Sequence, residues 1–423
     1  MTRTLAEWLT YQESTHPRDI ELRLDRVRRV WESMGAPRPA PIVITVGGTN
    51  GKGSTVALLE GMLCAAGYRV GCYTSPHLLR YNERVRLDGE DASDESLVAS
   101  FGRIEAARGS TPQTYFEFGT LAAIDLMSRA ALDVAVLEVG LGGRLDAVNI
   151  VDADVAVVTT IDLDHQDWLG GDRDTIGREK AGIAREARPA IVGERHPPAG
   201  LLEALRGIGA TVVRAGDDYV VGEGDEGGPW RWMHRDGTRL DLPRPALDAP
   251  VQIENAASAI AALHALGARV DIPPDAIRRA LAGVRVPGRL QSIGERPLTL
   301  VDVGHNPQAA RALADWLDAT PRRGRVVAVY GALADKDVGG VLVALGSRID
   351  HWYLAGLDRD TPRGLPASAV AATLATALPG APADAFPDVA TAWQAARADV
   401  GEDDTVLLFG SFFVAGAALA HRM

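Results

Sequence analysis

The chain has 423 residues, of which 46% are hydrophobic, and a formal net charge of −12. At ~150 residues per domain this implies two or three domains with sizeable cores. The acidic balance excludes sequence-independent nucleic-acid binding, which draws most of its affinity from basic side chains, and two cysteines without CxxC spacing, Cys64 and Cys72, exclude a disulfide framework or a cysteine zinc site.

At the N-terminus, "MTRTLAEWLTYQEST" lacks the apolar stretch of a signal peptide. No apolar run approaches the ~18 residues of a membrane span. The expectation is a cytoplasmic protein with no membrane contact. Strand-like apolar runs follow at 42–46, 70–74, 133–139, 154–161 and 190–193, with helical patterns between them at 54–66, 94–108, 117–130 and 174–187. Short apolar strands alternating with helices predict a parallel sheet covered on both faces.

Residues 217–242 break that rhythm with glycine-rich and Asp-Gly turns, predicting a small β-hairpin element in which Trp230 and Trp232 share a packed face. A helical pattern at 254–266 comes next, then a Gly/Pro-rich stretch, "RVPGRLQSIGERP", read as a linker. Beyond it the alternation restarts. Strands are expected near 298–303, 325–330, 350–354 and 405–409, and helices at 306–318, 337–347, 366–378, 388–398 and 412–421. The fold class expected is α/β: a P-loop-type, mostly parallel sheet domain with a small β element, plus a smaller Rossmann-like α/β domain.

Ligands of open α/β sheets bind beyond the carboxyl ends of the strands, so the residues after each strand carry the functional reading. After 42–46 comes Gly47-Gly48-Thr49-Asn50-Gly51-Lys52-Gly53-Ser54-Thr55. Its glycines let backbone N–H groups turn inward around phosphate oxygens, the following helix adds its positive end, Lys52 adds a charge and Ser54 or Thr55 a hydroxyl. The stretch departs from GxxxxGK[ST] by one residue fewer between the glycines and by Gly53 after the lysine. A glycine-rich turn with a solvated lysine is the alternative.

Glu138 closes an apolar strand, where a carboxylate needs a cation or donors. It is either a satisfied core carboxylate or an acidic ligand to Mg²⁺. Ser75 follows another strand, and His165 stands among Asp162, Asp164 and Asp167 in "DLDHQDWLG". An imidazole is an unusual ligand for Mg²⁺. Lys180 reads as a solvated helix lysine. In the second half Asp302, His305 and Asn306 end one strand, Asp335, Lys336 and Asp337 another, and Ser411 a third. These features leave open a P-loop hydrolase or small-molecule kinase and a regulatory nucleotide-binding module.

Taken in order, "GTNGKGS", "SPHL…NERV", "FEFGT", "EVGLGGRLDAVN", "DHQDWLG…IGREKAGI", "PGRLQ", "DVGHNP" and "FGSF" resemble the dihydrofolate synthase/folylpolyglutamate synthase family of Mur-ligase-like ATP-dependent amide ligases. The resemblance runs from about residue 5 to 420. It implies transfer of the ATP γ-phosphate to a carboxylate, then attack by L-glutamate, with dihydropteroate or a reduced folate as acceptor and Mg²⁺ at two sites. By that resemblance Gly51, Lys52, Gly53 and Ser54 match the phosphate loop, and Asn255, Arg289 and Asp302 match further ATP contacts. Ser75, Glu138 and His165 match Mg²⁺ ligands, and Lys180 matches a lysine that the family carbamylates. Lys52, Glu138, His165, Lys180 and His305 form the expected catalytic set. The pterin side is matched by Glu21, Leu22 and Arg23, by Phe116, Glu117, Phe118 and Gly119, and by Leu145, Asp146 and Ala147. His305, Lys336 and Ser411 fall on the glutamate and phosphate side. The implied division is an ATP- and folate-binding domain over 1–288, a linker over 289–297 and a C-terminal domain over 298–423, in a monomer. A Mur-type peptidoglycan ligase would need a separate domain before the loop, and only 46 residues precede Gly47. Three positions depart from the family pattern: Arg23 in Ile20-Glu21-Leu22-Arg23-Leu24, Val148 in Asp146-Ala147-Val148-Asn149, and Phe413 after Phe412.

Overall fold

The apolar run at 42 becomes strand β1 (Ile42–Gly47), buried at every residue. Its neighbours show why. Ile42, Ile44 and Val46 enter a core with Leu59, Leu63, Trp232 and Ile260, whereas Val43 enters another with Phe101, Phe118 and Leu121. Successive side chains of a strand point to opposite faces, so a strand covered on both sides must be apolar throughout. A computed structural model describes residues 3–16, 21–222, 229–247, 249–321 and 323–421. Ile20 and residues 223–228 of the expected hairpin lie outside the described residues.

The chain divides into two units: Met1–Asp162, Gln166–Ala246 and Ile253–Val284 in the first, and Leu163–His165, Leu247–Gln252 and Arg285–Met423 in the second. The large sheet of the first unit contains β1, β2 (Val70–Tyr73), β3 (Val85–Leu87), β4 (Glu90–Asp91), β5 (Val134–Glu138), β6 (Val155–Val158), β7 (Pro189–Val192) and β8 (Thr211–Arg214). Their order is β4-β3-β2-β5-β1-β6-β7-β8. From β2 to β8 the neighbours are parallel, and β3 and β4 are antiparallel additions. The parallel carboxyl ends therefore share one edge. A three-stranded antiparallel sheet, β9 (Tyr219–Gly222), β10 (Trp230–His234) and β11 (Arg239–Leu242), forms the expected small β element. Trp230 and Trp232 are buried there, donating to Pro243 O at 2.8 Å and Ala257 O at 3.2 Å.

The sheet of the second unit comprises β12 (Gln291–Glu295), β13 (Leu298–Val301), β14 (Val326–Tyr330), β15 (His351–Ala355), β16 (Ala383–Phe386) and β17 (Thr405–Phe409). The order is β12-β13-β17-β14-β15-β16, parallel except for β12. Strand β12 lies within the stretch expected as a linker, 289–297. The Gly/Pro content of this stretch marks a short hairpin: Gln291 pairs with Val301 and Glu295 with Leu298.

The helix expected over 174–187 ends at Ala181. Asn149 Nδ2 takes the Gly182 carbonyl at 3.0 Å, so the oxygen that would continue the helix is engaged elsewhere. The sequence reading also omitted the helices Leu5–Ser14, Asp25–Ser33, Ala199–Ile208 and Pro274–Gly283. No helix among the described residues is long and apolar enough to cross a membrane.

Candidate active site

In the first unit the chain leaves β1 at Gly47, turns through 48–51 and enters the helix Lys52–Ala65, two residues earlier than expected. Gly48 and Gly51 have φ of 142° and 85°, backbone that only glycine adopts without strain. Close neighbours add to the requirement. A Cβ on Gly48 would strike Thr159 Oγ1, and one on Gly51 would strike Asn255 Oδ1. The loop is also tied to the segment after β6: Thr49 N–H donates to Thr160 O at 2.7 Å, Asn50 N–H to Thr160 Oγ1 at 3.1 Å and Thr159 Oγ1 to Asn50 O at 2.6 Å. Ser54 and Thr55 are buried in the first helical turn. This gives a rigid loop at a helix N-terminus, the arrangement that binds phosphate.

Two lysines converge on it. Lys52 Nζ donates to Gly48 O at 3.0 Å and to Thr49 O at 3.1 Å. Lys180 Nζ, buried in the helix Arg173–Ala181, donates to Gly48 O at 2.9 Å. The solvated-lysine reading of Lys180 is thereby replaced: its helix packs the residue inward, against the loop. Gly143 makes room for that helix, since a Cβ there would lie 3.0 Å from Glu179 O and 3.1 Å from Lys180 Cα.

Beside the loop, β1 and β5 place Val46 opposite Glu138. Glu138 is buried and accepts from Ser75 N–H at 3.1 Å. Ser75 follows β2, on the other side of β5. Its loop is held by Glu83, whose carboxylate accepts from the N–H groups of Leu78, Leu79 and Arg80 at 2.7 to 2.9 Å. Burial and the adjacent Arg84 hold His77 down at about 4, so its Nδ1 stays an acceptor for Arg84 Nε at 2.8 Å. Ser75 and Glu138 bring a hydroxyl and a carboxylate, hard oxygen donors of the kind Mg²⁺ selects.

The residues expected on the pterin side sort by depth. Phe116 lies over Gly140, where a Cβ would come within 2.5 Å of its ring. Phe118 is fully buried between Trp8 and Phe101, and Gly119 leaves space for the hydroxyls of Tyr73 and Tyr81, so packing accounts for these two positions. Glu117 caps the helix Tyr115–Arg129 with Thr114 and pairs with Arg26 at 2.9 Å; Arg26 also reaches Glu21 at 3.1 Å. Burial pushes the Glu117 carboxyl up, against its hydrogen bonds and Arg26. Arg23 makes an exposed ion pair with Asp25, and Leu22 packs against the core cluster that contains Ile176 and Leu201. Asp146, buried, accepts from Leu141 N–H at 2.8 Å and Val148 N–H at 3.0 Å, closing the loop that carries half-buried Leu145 and buried Ala147. Burial raises Asp146 to about 6.

In the second unit, strand ends gather the remaining residues. Asp302 accepts from Leu290 N–H at 2.8 Å and Gly304 N–H at 2.6 Å, beside Arg289, and burial raises its carboxyl. Arg289 lies 5.4 Å from the Phe412 ring. Asp164, which the sequence reading passed over in favour of His165, is the hub of this unit. Lys336 Nζ donates to it at 2.7 Å, Asn306 Nδ2 at 3.2 Å, and His305 Nε2 lies 3.5 Å away. The Asp164 carboxyl is held far below the usual range: burial opposes this, but the His305 hydrogen bond and the Lys336 charge outweigh it. Lys336 Nζ also lies 3.3 Å from His165 Nε2, and His165 has φ 50°, a left-handed conformation that is strained for a histidine. The signal for Asp164 was its place next to His165 at a strand end. Ser411 caps the helix Phe412–Ala420 through Val414 N–H at 3.1 Å, which accounts for its hydroxyl without a ligand, while Phe413 is exposed.

Comparison with known proteins places these features in a family. The Mur ligase middle domain pattern matches residues 46–218, and the Mur ligase, glutamate ligase domain pattern matches 288–412. The chain is 48% identical over 99% of its length to the dihydrofolate synthase/folylpolyglutamate synthase of Escherichia coli K12, covering 94% of that protein. It resembles the structure of E. coli FolC in complex with DHPP and ADP, with a TM-score of 0.93, 47% identity and coverage of 99% and 97% of the two chains. A bifunctional folylpolyglutamate synthase/dihydrofolate synthase with Mn, AMPPNP and L-glutamate bound gives 0.91, 46%, 99% and 98%. The chain belongs to the dihydrofolate synthase/folylpolyglutamate synthase family of Mur ligases.

Proposed function

We propose that this chain is an ATP-dependent amide ligase that joins L-glutamate to dihydropteroate, forming dihydrofolate, and to the γ-carboxylate of reduced folates. The whole-length likeness to enzymes of that name supports the reading. The observation in the chain itself that carries it is the convergence of Lys52 and Lys180 on the loop between β1 and its helix. The acceptor carboxylate takes the γ-phosphoryl group of ATP, releasing ADP and leaving an acyl phosphate. The glutamate amine attacks the acyl carbon, the C–N bond forms, and phosphate departs. Positioning and charge neutralisation dominate such a transfer.

Gly51, Lys52, Gly53 and Ser54 would cradle the phosphates, with Asn255, Arg289 and Asp302 as further nucleotide contacts. Ser75, Glu138, His165 and a carbamylated Lys180 would hold Mg²⁺ at two sites; the oxygens of Ser75 and Glu138 suit that ion. Bound there, Mg²⁺ offsets charge on the phosphoryl oxygens. Phe116, Leu145 and Ala147 would face the pterin, supported by Glu21, Leu22, Arg23, Glu117, Phe118, Gly119 and Asp146. His305, with Lys336 and Ser411, would serve the glutamate and phosphate side, His305 in the catalytic set. Residues 1–288 would bind ATP and folate, with 298–423 as the C-terminal domain after a connection over 289–297. The protein would act as a cytoplasmic monomer that binds neither nucleic acid nor membrane.

The test is product identity by mass. Dihydropteroate incubated with ATP, Mg²⁺ and L-glutamate should gain one glutamate residue. ATP turnover with no such product would favour a P-loop hydrolase or kinase on the same scaffold.

A further inference from the structure

The turn between β10 and β11 runs His234-Arg235-Asp236-Gly237-Thr238. It is tightly made: His234 N–H donates to Thr238 O at 3.0 Å and Gly237 N–H to His234 O at 3.0 Å, with Gly237 at φ 97°. It holds the Asp236 carboxylate between two imidazoles. His234 Nδ1 is 3.0 Å from Asp236 Oδ1, and His264 Nε2, in the last turn of the helix Val251–Ala265, is 2.8 Å from Asp236 Oδ2. The three potential ligand atoms all lie within 4.8 Å of one another.

The surroundings preorganise this cluster. Thr238 N–H donates to Asp236 Oδ1 at 2.9 Å, fixing the carboxylate. The Trp232 ring stacks under His234, tilted by 5° at 5.8 Å, and meets His264 edge-on at 5.5 Å. Both imidazoles are half-buried on this apolar floor, and the carboxylate is exposed. His234 Nδ1 lies 3.0 Å from Asp236 Oδ1 and 3.4 Å from the Asp236 amide nitrogen. When that ring nitrogen is deprotonated, its lone pair and those of the carboxylate face the same point.

We propose that His234, Asp236 and His264 form a binding site for a divalent late transition metal, Zn²⁺ being the physiological candidate, separate from the nucleotide loop. Two imidazole nitrogens and one carboxylate oxygen are the donor set Zn²⁺ takes when three protein ligands leave a position for water. A set with two imidazoles out of three ligands favours such a metal over Mg²⁺, which prefers oxygen. The ion would clamp the hairpin to the C-terminal turn of the helix whose first turns carry Asn255. Trp232, donating to Ala257 O on that helix at 3.2 Å, already joins the same two elements.

The test uses the full chain, with Zn²⁺ as the probe and millimolar Mg²⁺ present throughout to occupy oxygen-ligand sites. Equilibrium dialysis followed by metal analysis should find one more equivalent of Zn²⁺ on the wild type than on His264→Asn or Asp236→Asn. Asp236 is exposed, so its variant should fold even if the histidine variant does not. Zn²⁺ should raise the melting temperature of the wild type and leave both variants unmoved. Acid should release the extra equivalent, since ligands must be deprotonated to bind metal. Equal Zn²⁺ on all three proteins, or an extra equivalent that persists in the folded Asp236→Asn variant, would overturn the proposal and leave an imidazole–carboxylate ion-pair cluster.

Discussion

Lys52 and Lys180 donate to one backbone oxygen, Gly48 O, at 3.0 and 2.9 Å, although they are 128 positions apart in sequence. Two amines meeting at one carbonyl beside a helix N-terminus concentrate positive potential where the loop turns. Such a place is suited to a polyanion. It also separates the two roles proposed. Lys52 opens its helix and remains half-buried, whereas Lys180 is buried against the loop from behind.

Lys52→Ala should lower ADP release by roughly 10²-fold or more, the loss typical when one preorganised donor to developing charge is removed. Its melting temperature should stay near that of the wild type, because the side chain is only half-buried and its ammonium bonds the loop carbonyls of Gly48 and Thr49. Steady-state kinetics beside a thermal scan check both halves, and near-normal turnover would remove the phosphate-loop reading.

Lys180→Ala should also lower turnover sharply. If a carbamate on Lys180 is what acts, added short carboxylic acids should restore part of the rate in this variant and do nothing for Lys52→Ala. An unaffected Lys180→Ala enzyme would make Lys180 a packing residue alone.

Asp146 predicts a pH signature in stability. Burial raises its folded-state value from 3.8 to about 6, against the opposing N–H bonds from Leu141 and Val148. The folded chain therefore holds this proton more tightly than the unfolded chain. The resulting stability is fully present below pH 3.8 and lost as pH rises through about 6. Denaturant titrations between these limits should show a decline in the wild type, worth up to about 3 kcal/mol, that is absent from Asp146→Asn. Parallel profiles for the two proteins would count against it.

The Asp164–Lys336 pair, nearly sealed from solvent at 2.7 Å, should behave as a coupled unit. Lys336→Met leaves a buried carboxylate short of its main cation and should destabilise the fold by about 3 kcal/mol or more; Asp164→Asn combined with it should recover part of that loss. A double-mutant cycle should give a coupling of at least about 1 kcal/mol. Additive effects would mean that the pair is already well hydrated.

Much of the fold was legible because local rules and tertiary structure agree. The buried strands of both sheets are short apolar runs, and Trp230 and Trp232 pack as their alternation requires. Misses arose where tertiary contacts override local signals. Gly182 gives its carbonyl to Asn149, which ends a helix the pattern would continue. Strand β12 hides in a Gly/Pro-rich stretch because its partner, not its own composition, makes it a strand. The helix Leu5–Ser14 had a readable start, since Thr4 and Glu7 form a capping box, but its narrow apolar face was not followed. At the site, the glycine loop and Glu138 could be read from strand ends. The burial of Lys180 could not, because nothing local distinguishes a helix lysine facing a loop from one facing water. Asp164 was overlooked since a carboxylate gains its importance from His305 and Lys336, more than 140 positions away.

The central claim is amide ligation, and ADP release measures it most directly. Four mixtures with ATP and Mg²⁺ suffice: no acceptor, L-glutamate alone, dihydropteroate with glutamate, and tetrahydrofolate with glutamate. The account predicts ADP only when a pterin acceptor and glutamate are both present, and the last two mixtures separate the two ligations. ADP formed at equal rates in all four would contradict the ligase and leave an ATP hydrolase.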